Sequence, residues 1–115
     1  MSAGRYNMVV EKGATFSLVL TWKDANSALI NLTGYTARLQ FRDRTKTILI
    51  AELTTANGGI TLGGAAGTIT LAMTAAATTA ITHSAGVYDL EMIAGSGAVT
   101  RLIEGGVQFT SEVTV

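Results

Sequence analysis

His83 is the one histidine of this 115-residue chain, and there is no cysteine. A hydrolytic Ser-His-Asp arrangement built on it would have to draw on Ser84 and Asp89. A serine adjacent in sequence does not present its hydroxyl to the neighbouring ring without special geometry, and His83 falls in a Ser/Ala/Gly loop. A solvated loop histidine is expected there, and no residue is assigned a catalytic role. One imidazole and no thiolate leave too few ligands for a transition-metal site and none for a disulfide, and no cofactor is expected.

The carboxylates Glu11, Asp24, Asp43, Glu52, Asp89, Glu91, Glu104 and Glu112 are scattered. Asp89 and Glu91, two apart, share one face if they lie on a strand, where they could meet a hard cation. They lack the dense oxygen-ligand loop of a calcium site, so an outward polar strand face is the plainer reading. No glycosidase-like carboxylate pair stands out. Gly63-Gly64-Ala65-Ala66-Gly67 lacks the lysine and the helix of a phosphate loop, and reads as a tight turn. Asn31-Leu32-Thr33 matches a glycosylation sequon, but Met1–Val10 shows no charged and then apolar leader, so the match is taken as chance. Arg38 and Arg42 share a parity, with Arg44 and Lys46 just beyond. These four could meet phosphate or an acidic partner, or form a solvated face neutralised by Asp43 and Glu52. Without interleaved aromatics, nucleic acid is not an expected partner.

The elements that would carry these residues announce themselves by period-two alternation. Phe16, Leu18, Leu20 and Trp22 alternate with Ser17, Val19 and Thr21; Tyr35, Ala37, Leu39 and Phe41 with Thr36, Arg38, Gln40 and Arg42; Ile69, Leu71 and Met73 with Thr70 and Ala72. Val107, Phe109, Val113 and Val115 share one parity against Gln108, Thr110, Glu112 and Thr114. Side chains at i and i+2 lie on one face of a strand, so each run has an apolar and a polar side, as in antiparallel sheets with one buried face. Strands are expected near 6–10, 15–22, 28–32, 35–42, 48–53, 60–62, 68–73, 87–93, 98–104 and 107–115. With no proline and 13 glycines, Gly punctuates the chain. Asn57-Gly58-Gly59 is the strongest hairpin signal, and Gly63-Gly64, Gly95-Ser96-Gly97 and Gly105-Gly106 mark further turns or bulges. Thr74–Ile81 departs from the pattern: a capping threonine before an alanine run predicts a short helical turn docked by Ile81.

These signals predict one all-β domain over 1–115: an antiparallel β-sandwich, immunoglobulin-like or jelly-roll-like, with a single helical turn near 74–81. Its core should include Phe16, Leu18, Leu20, Trp22, Leu39, Phe41, Leu71, Tyr88, Leu90 and Phe109.

Composition bears on partners. Charged residues are 14% of the chain, well under the usual fraction of about 25%. The formal net charge is +0, so no overall field draws nucleic acid or a membrane surface, and no run is apolar enough to span a bilayer. Residues 53–88 contain no Asp, Glu, Lys or Arg. Exposed strand edges are normally guarded by charge, so either a neighbouring subunit covers part of this stretch or it packs within the monomer as a mild Thr/Ala surface. Residues 1–52 carry a net charge of +3 and residues 53–115 a net charge of −3. Such a chain can dock head to tail if folding sets the two signs on opposite surfaces. A homo-oligomer is expected.

The order YNMVVEKGATFSLVLTW, INLTGYTARLQFR, ITLGGAAGTITLAMTAAATTAI, VYDLEMI and VTRLIEGGVQFTSEVT resembles that of small structural proteins of tailed bacteriophages and prophages. The resemblance covers nearly the whole chain. It implies a β-sandwich component of the virion, of the tail, baseplate or fibre-adaptor type, assembled in the host cytoplasm among other virion proteins, with no catalytic residue to transfer. A capsid decoration protein is the alternative within that class, and a carbohydrate-binding receptor-recognition module the alternative outside it.

Overall fold

The computed structural model describes residues 4–111, and the alternating runs become nine strands. These are β1 (Gly4–Arg5), β2 (Met8–Glu11), β3 (Phe16–Thr21), β4 (Thr36–Arg42), β5 (Leu49–Thr54), β6 (Ile60–Leu62), β7 (Thr68–Met73), β8 (Ala85–Ile93) and β9 (Val99–Thr110), with one α-helix, α1 (Ala75–Thr79), and, beyond the single helical turn expected, a 3-10 turn at Gly64–Ala66. The larger sheet runs in the order β1-β9-β8-β4-β5, with β2 also on β9; the smaller is β3-β7-β6. The chain passes between sheets after β2, β3, β5 and β7. That order is an immunoglobulin-like sandwich and not a jelly roll.

Burial follows parity. In β4 Ala37, Leu39 and Phe41 point inward, in β8 Tyr88, Leu90 and Met92, in β7 Ile69, Leu71 and Met73, and in β9 Val107 and Phe109. The inner faces of both sheets meet in one cluster. Phe41 packs edge-on against Phe109, with ring centroids 5.6 Å apart. Six of the ten expected core residues are fully buried. The other four, Phe16, Leu18, Leu20 and Trp22, have the expected inward parity but are only half-buried against the core. Three of them lie on β3, which among the described residues has a neighbour on one side only.

Several expectations need correction. The stretch 28–32 is not a strand of either sheet: it makes a single bridge, Lys23 to Leu29, and turns back along Trp22 and Gly64 through main-chain bonds. Leu32 still reaches the core. The runs 98–104 and 107–115 form one strand through Gly105-Gly106, with Val113 and Val115 outside the described residues. Asn57-Gly58-Gly59 makes a turn but no hairpin, because β5 and β6 lie in different sheets. The Asn57 side chain accepts from the Thr54 and Gly59 amides and donates to the Glu52 carbonyl, holding the crossing. Pairing is also not wholly antiparallel, since β1 and β2 lie parallel to β9.

The helical turn forms where expected. Thr74 caps α1, its hydroxyl accepting from the Ala77 amide at 3.1 Å, and Ile81 is buried. A five-residue helix has little stability of its own. Thr78, fully buried, anchors it: its hydroxyl accepts from the Gly13 amide at 3.1 Å and lies 2.9 Å from the Ala14 carbonyl. The helix is thereby stitched to the β2–β3 turn.

Candidate functional site

The two outer faces differ in chemistry. On the larger sheet the pairings align Arg5, Glu104, Asp89, Gln40 and Glu52 in one transverse row, with Arg101, Glu91, Arg38 and Thr54 in the next. Arg38 bonds Glu91 at 2.6 Å, Arg101 lies 3.4 Å from Asp89 and 3.9 Å from Glu104, and Gln40 donates to Glu52 at 2.7 Å. The hydrogen bond and charge of Glu91 raise the Arg38 pKa. Basic residues of the first half of the chain therefore interleave with acidic residues of the second. The +3 and −3 halves do not fold onto opposite surfaces, and the head-to-tail arrangement loses its premise.

Asp89 and Glu91 are thus partners of arginines. Among the described residues no group of three or more His, Cys, Asp or Glu side chains could hold a metal ion. His83 and Ser84 precede β8, while Asp89 sits midway along it on the outer face beside Arg101; the three are not brought together. The charge of His83 reaches Asp43 instead, the last of several influences that lower the pKa of that carboxylate. The largest is the main-chain hydrogen bond from Ile48; Asp43 also accepts from the Thr45 hydroxyl and the Thr47 amide. Asp43 is thereby committed to holding the 43–48 loop.

Of the four basic residues near the β4 tip, Arg38 is in an ion pair and Arg42 bonds Gln40 at 2.9 Å, lying 3.5 Å from the Lys46 carbonyl. Arg42, Arg44 and Lys46 help to line an open concavity of about 830 Å³ on the larger sheet, along with Arg5, Arg101, Asp89 and Glu104. Gly106 contributes no side chain there. Five basic and two acidic side chains surround this hollow, and both carboxylates lie within reach of Arg101, so cations outnumber acids there.

The outer face of the smaller sheet carries no charge. It presents Ser17, Val19 and Thr21 from β3, Thr68, Thr70 and Ala72 from β7, and Thr61 from β6, in direct register: Val19 opposite Thr70, Thr70 opposite Thr61. Thr70 lies at its centre, and Val19, midway along the edge strand β3, is 58% exposed. Of the uncharged stretch 53–88, part faces the core and part makes this surface. Aromatic rings are absent from it: Phe41, Tyr88 and Phe109 are buried, and Trp22 stacks edge-on against Tyr35 at 6.0 Å.

Sequence reasoning missed how the N-terminal segment is secured. Between β1 and β2 the chain kinks at Tyr6-Asn7 over Gly105, where an added Cβ would lie 2.2 Å from the Tyr6 carbonyl oxygen. That oxygen accepts from the Tyr88 hydroxyl, and the Asn7 side chain accepts from the Gly106 amide at 3.0 Å. The Gly-Gly pair was the one available signal, and in the sequence it reads equally as a turn.

No protein-family model matches the chain, and no curated protein matches it. Among solved structures, the chain is similar to an extracellular domain of the voltage-gated sodium channel beta4 subunit, described as forming parallel homodimers that explain its role in cell–cell adhesion. The two are 9% identical with a TM-score of 0.46, over 98% of this chain and 97% of that one.

Proposed function

We propose that this chain is a non-enzymatic structural protein of a tailed-bacteriophage virion, a tail, baseplate or fibre-adaptor component that acts through multi-copy contacts with other virion proteins and with itself. The observation that carries this reading is the charge-free outer face of the smaller sheet. Seven side chains there are Ser, Thr, Val or Ala, while the charges of β4, β8 and β9 lie on the opposite sheet. A flat face of short β-branched and hydroxyl side chains loses little solvation when covered, and offers no ion pairs to orient a soluble ligand. The resemblance of the strand order, from the TFSLVLTW run to the GGVQFTSEVT run, supplies the virion context.

Cryo-electron microscopy of the source particle tests the reading. The chain is expected in several symmetry-related copies, with protein covering Val19 and Thr70. Copies on the capsid shell would move it to the decoration class. Absence from the particle would overturn it.

A further inference from the structure

We propose that the free edge of β3 is where a second copy of this chain adds to the smaller sheet, pairing antiparallel about Val19; this rests on the multi-copy reading above and names its self-contact. Among the described residues, the four sheet edges set β3 apart. On the larger sheet, β5 carries Glu52 and its pairing shifts register between Phe41 and Arg42. The β1/β2 edge is broken at Tyr6-Asn7 and carries Arg5 and Glu11. The β6 edge is three residues long. Charge, irregularity and shortness are the devices that discourage edge-to-edge pairing. Strand β3 has none of them: Phe-Ser-Leu-Val-Leu-Thr runs six residues in unbroken register with β7, without charge or proline. Beside it the sandwich is open, with a groove of about 280 Å³ bordered by Tyr6, Val9, Phe16 and Leu18.

Hydrogen bonding fixes which groups the edge offers. The Trp22 amide donates to the Gly67 carbonyl at 2.8 Å, whereas the Ala72 amide turns away from β3 to the Gly59 carbonyl at 2.9 Å. Because bonds alternate along an antiparallel pair, Phe16, Leu18 and Leu20 bond β7. The N–H and C=O groups of Ser17, Val19 and Thr21 then point out of the edge. A two-fold axis at Val19 uses these three residues from each copy, since Val19 meets Val19 and Ser17 meets Thr21 in bonded pairs. The same register sets Leu18 opposite Leu20 on the inner side, where the open edge leaves both half-buried. It brings no like charges together, because Lys23 falls opposite Thr15 and Asp24 opposite Ala14. The strand is thus complementary to itself, as a closed two-fold contact requires.

The test is sedimentation of the purified chain with Val19→Lys, Val19→Glu and their equimolar mixture. The unaltered chain should dimerise. Each variant alone sets like charges opposite at the axis and should weaken dimerisation roughly tenfold or more. The mixture should recover it, because residue 19 faces residue 19. Val19 is exposed, so both variants should keep the native circular dichroism spectrum. Should either lose it, amide exchange of the unaltered chain decides: exchange at Val19 must slow as concentration rises. A monomer at about 1 mM, a Lys variant as dimeric as the parent, or a mixture that stays monomeric overturns the proposal. Self-association indifferent to Val19→Lys would remove only the β3 contact and leave the multi-copy reading standing. A single copy per particle would remove that reading instead.

Discussion

The Tyr88 hydroxyl donates to the main-chain carbonyl of Tyr6 across 82 positions of sequence, directly above Gly105. Tyr88 pairs with Gly105 in the β8–β9 ladder. The ring thus spans the space its partner leaves empty and ties the N-terminal strand to the sheet. Tyr88→Phe would leave a carbonyl unpartnered at the rim of the core. A loss of about 1–3 kcal/mol is expected in denaturant unfolding.

The same contact predicts a pH response. Burial is the main cause that pushes the Tyr88 pKa up to about 12, with Tyr6 adding to it and Arg5 opposing it. Folding therefore favours the protonated phenol. Its contribution is fully present below the unfolded tyrosine value of about 10 and is lost as pH rises from there toward 12. Urea midpoints measured from pH 9 to 12 should fall more steeply for the parent than for Tyr88→Phe. Parallel curves would mean the phenol is not held neutral by the fold.

Gly105→Ala asks whether the close approach of Tyr6 is obligatory. The new methyl would collide with main chain, which cannot yield as a flexible side chain can. The expected outcome is release of β1 with a loss of about 1–3 kcal/mol. Amide exchange should quicken at Tyr6, whose N–H bonds the Glu104 carbonyl, and remain slow at Leu39.

Leu39 is fully buried on β4, an interior strand between β8 and β5. Leu39→Ala should cost about 2–5 kcal/mol, read from thermal or denaturant unfolding. A cost near zero would mean that the inward parity of β4 is wrong.

Thr78→Val keeps the shape of a buried side chain but removes the hydroxyl that accepts from Gly13. The Gly13 amide loses its partner, and about 1–3 kcal/mol should be lost. Proteolysis should become faster at the β2–β3 turn, since α1 no longer holds it.

Thr70→Lys places a charge at the centre of the bare face without touching the core. Folding should change by less than about 0.5 kcal/mol, while incorporation into particles should drop. Unchanged incorporation would count against this face as a contact.

Alternation alone settled which side of β4, β7 and β8 faces inward, because a period of two leaves Leu39, Leu71 and Leu90 nowhere else to go. The cap-and-alanine pattern at Thr74–Ile81 likewise placed α1, since capping and helix propensity are local. The absence of Cys and the single His bounded the chemistry before any fold was known. Periodicity carries no information about which strands become neighbours. It could not tell that Gly105-Gly106 continues a strand, because a glycine pair permits a turn and an overlying carbonyl equally well. It could not place β3 at an edge, so Phe16, Leu18 and Leu20 read as deep core when each has a strand on one side only. Nor could it show that the basic half of the chain interleaves with the acidic half. That follows from β4 lying beside β8, a pairing between segments some fifty residues apart that only the packed sandwich selects.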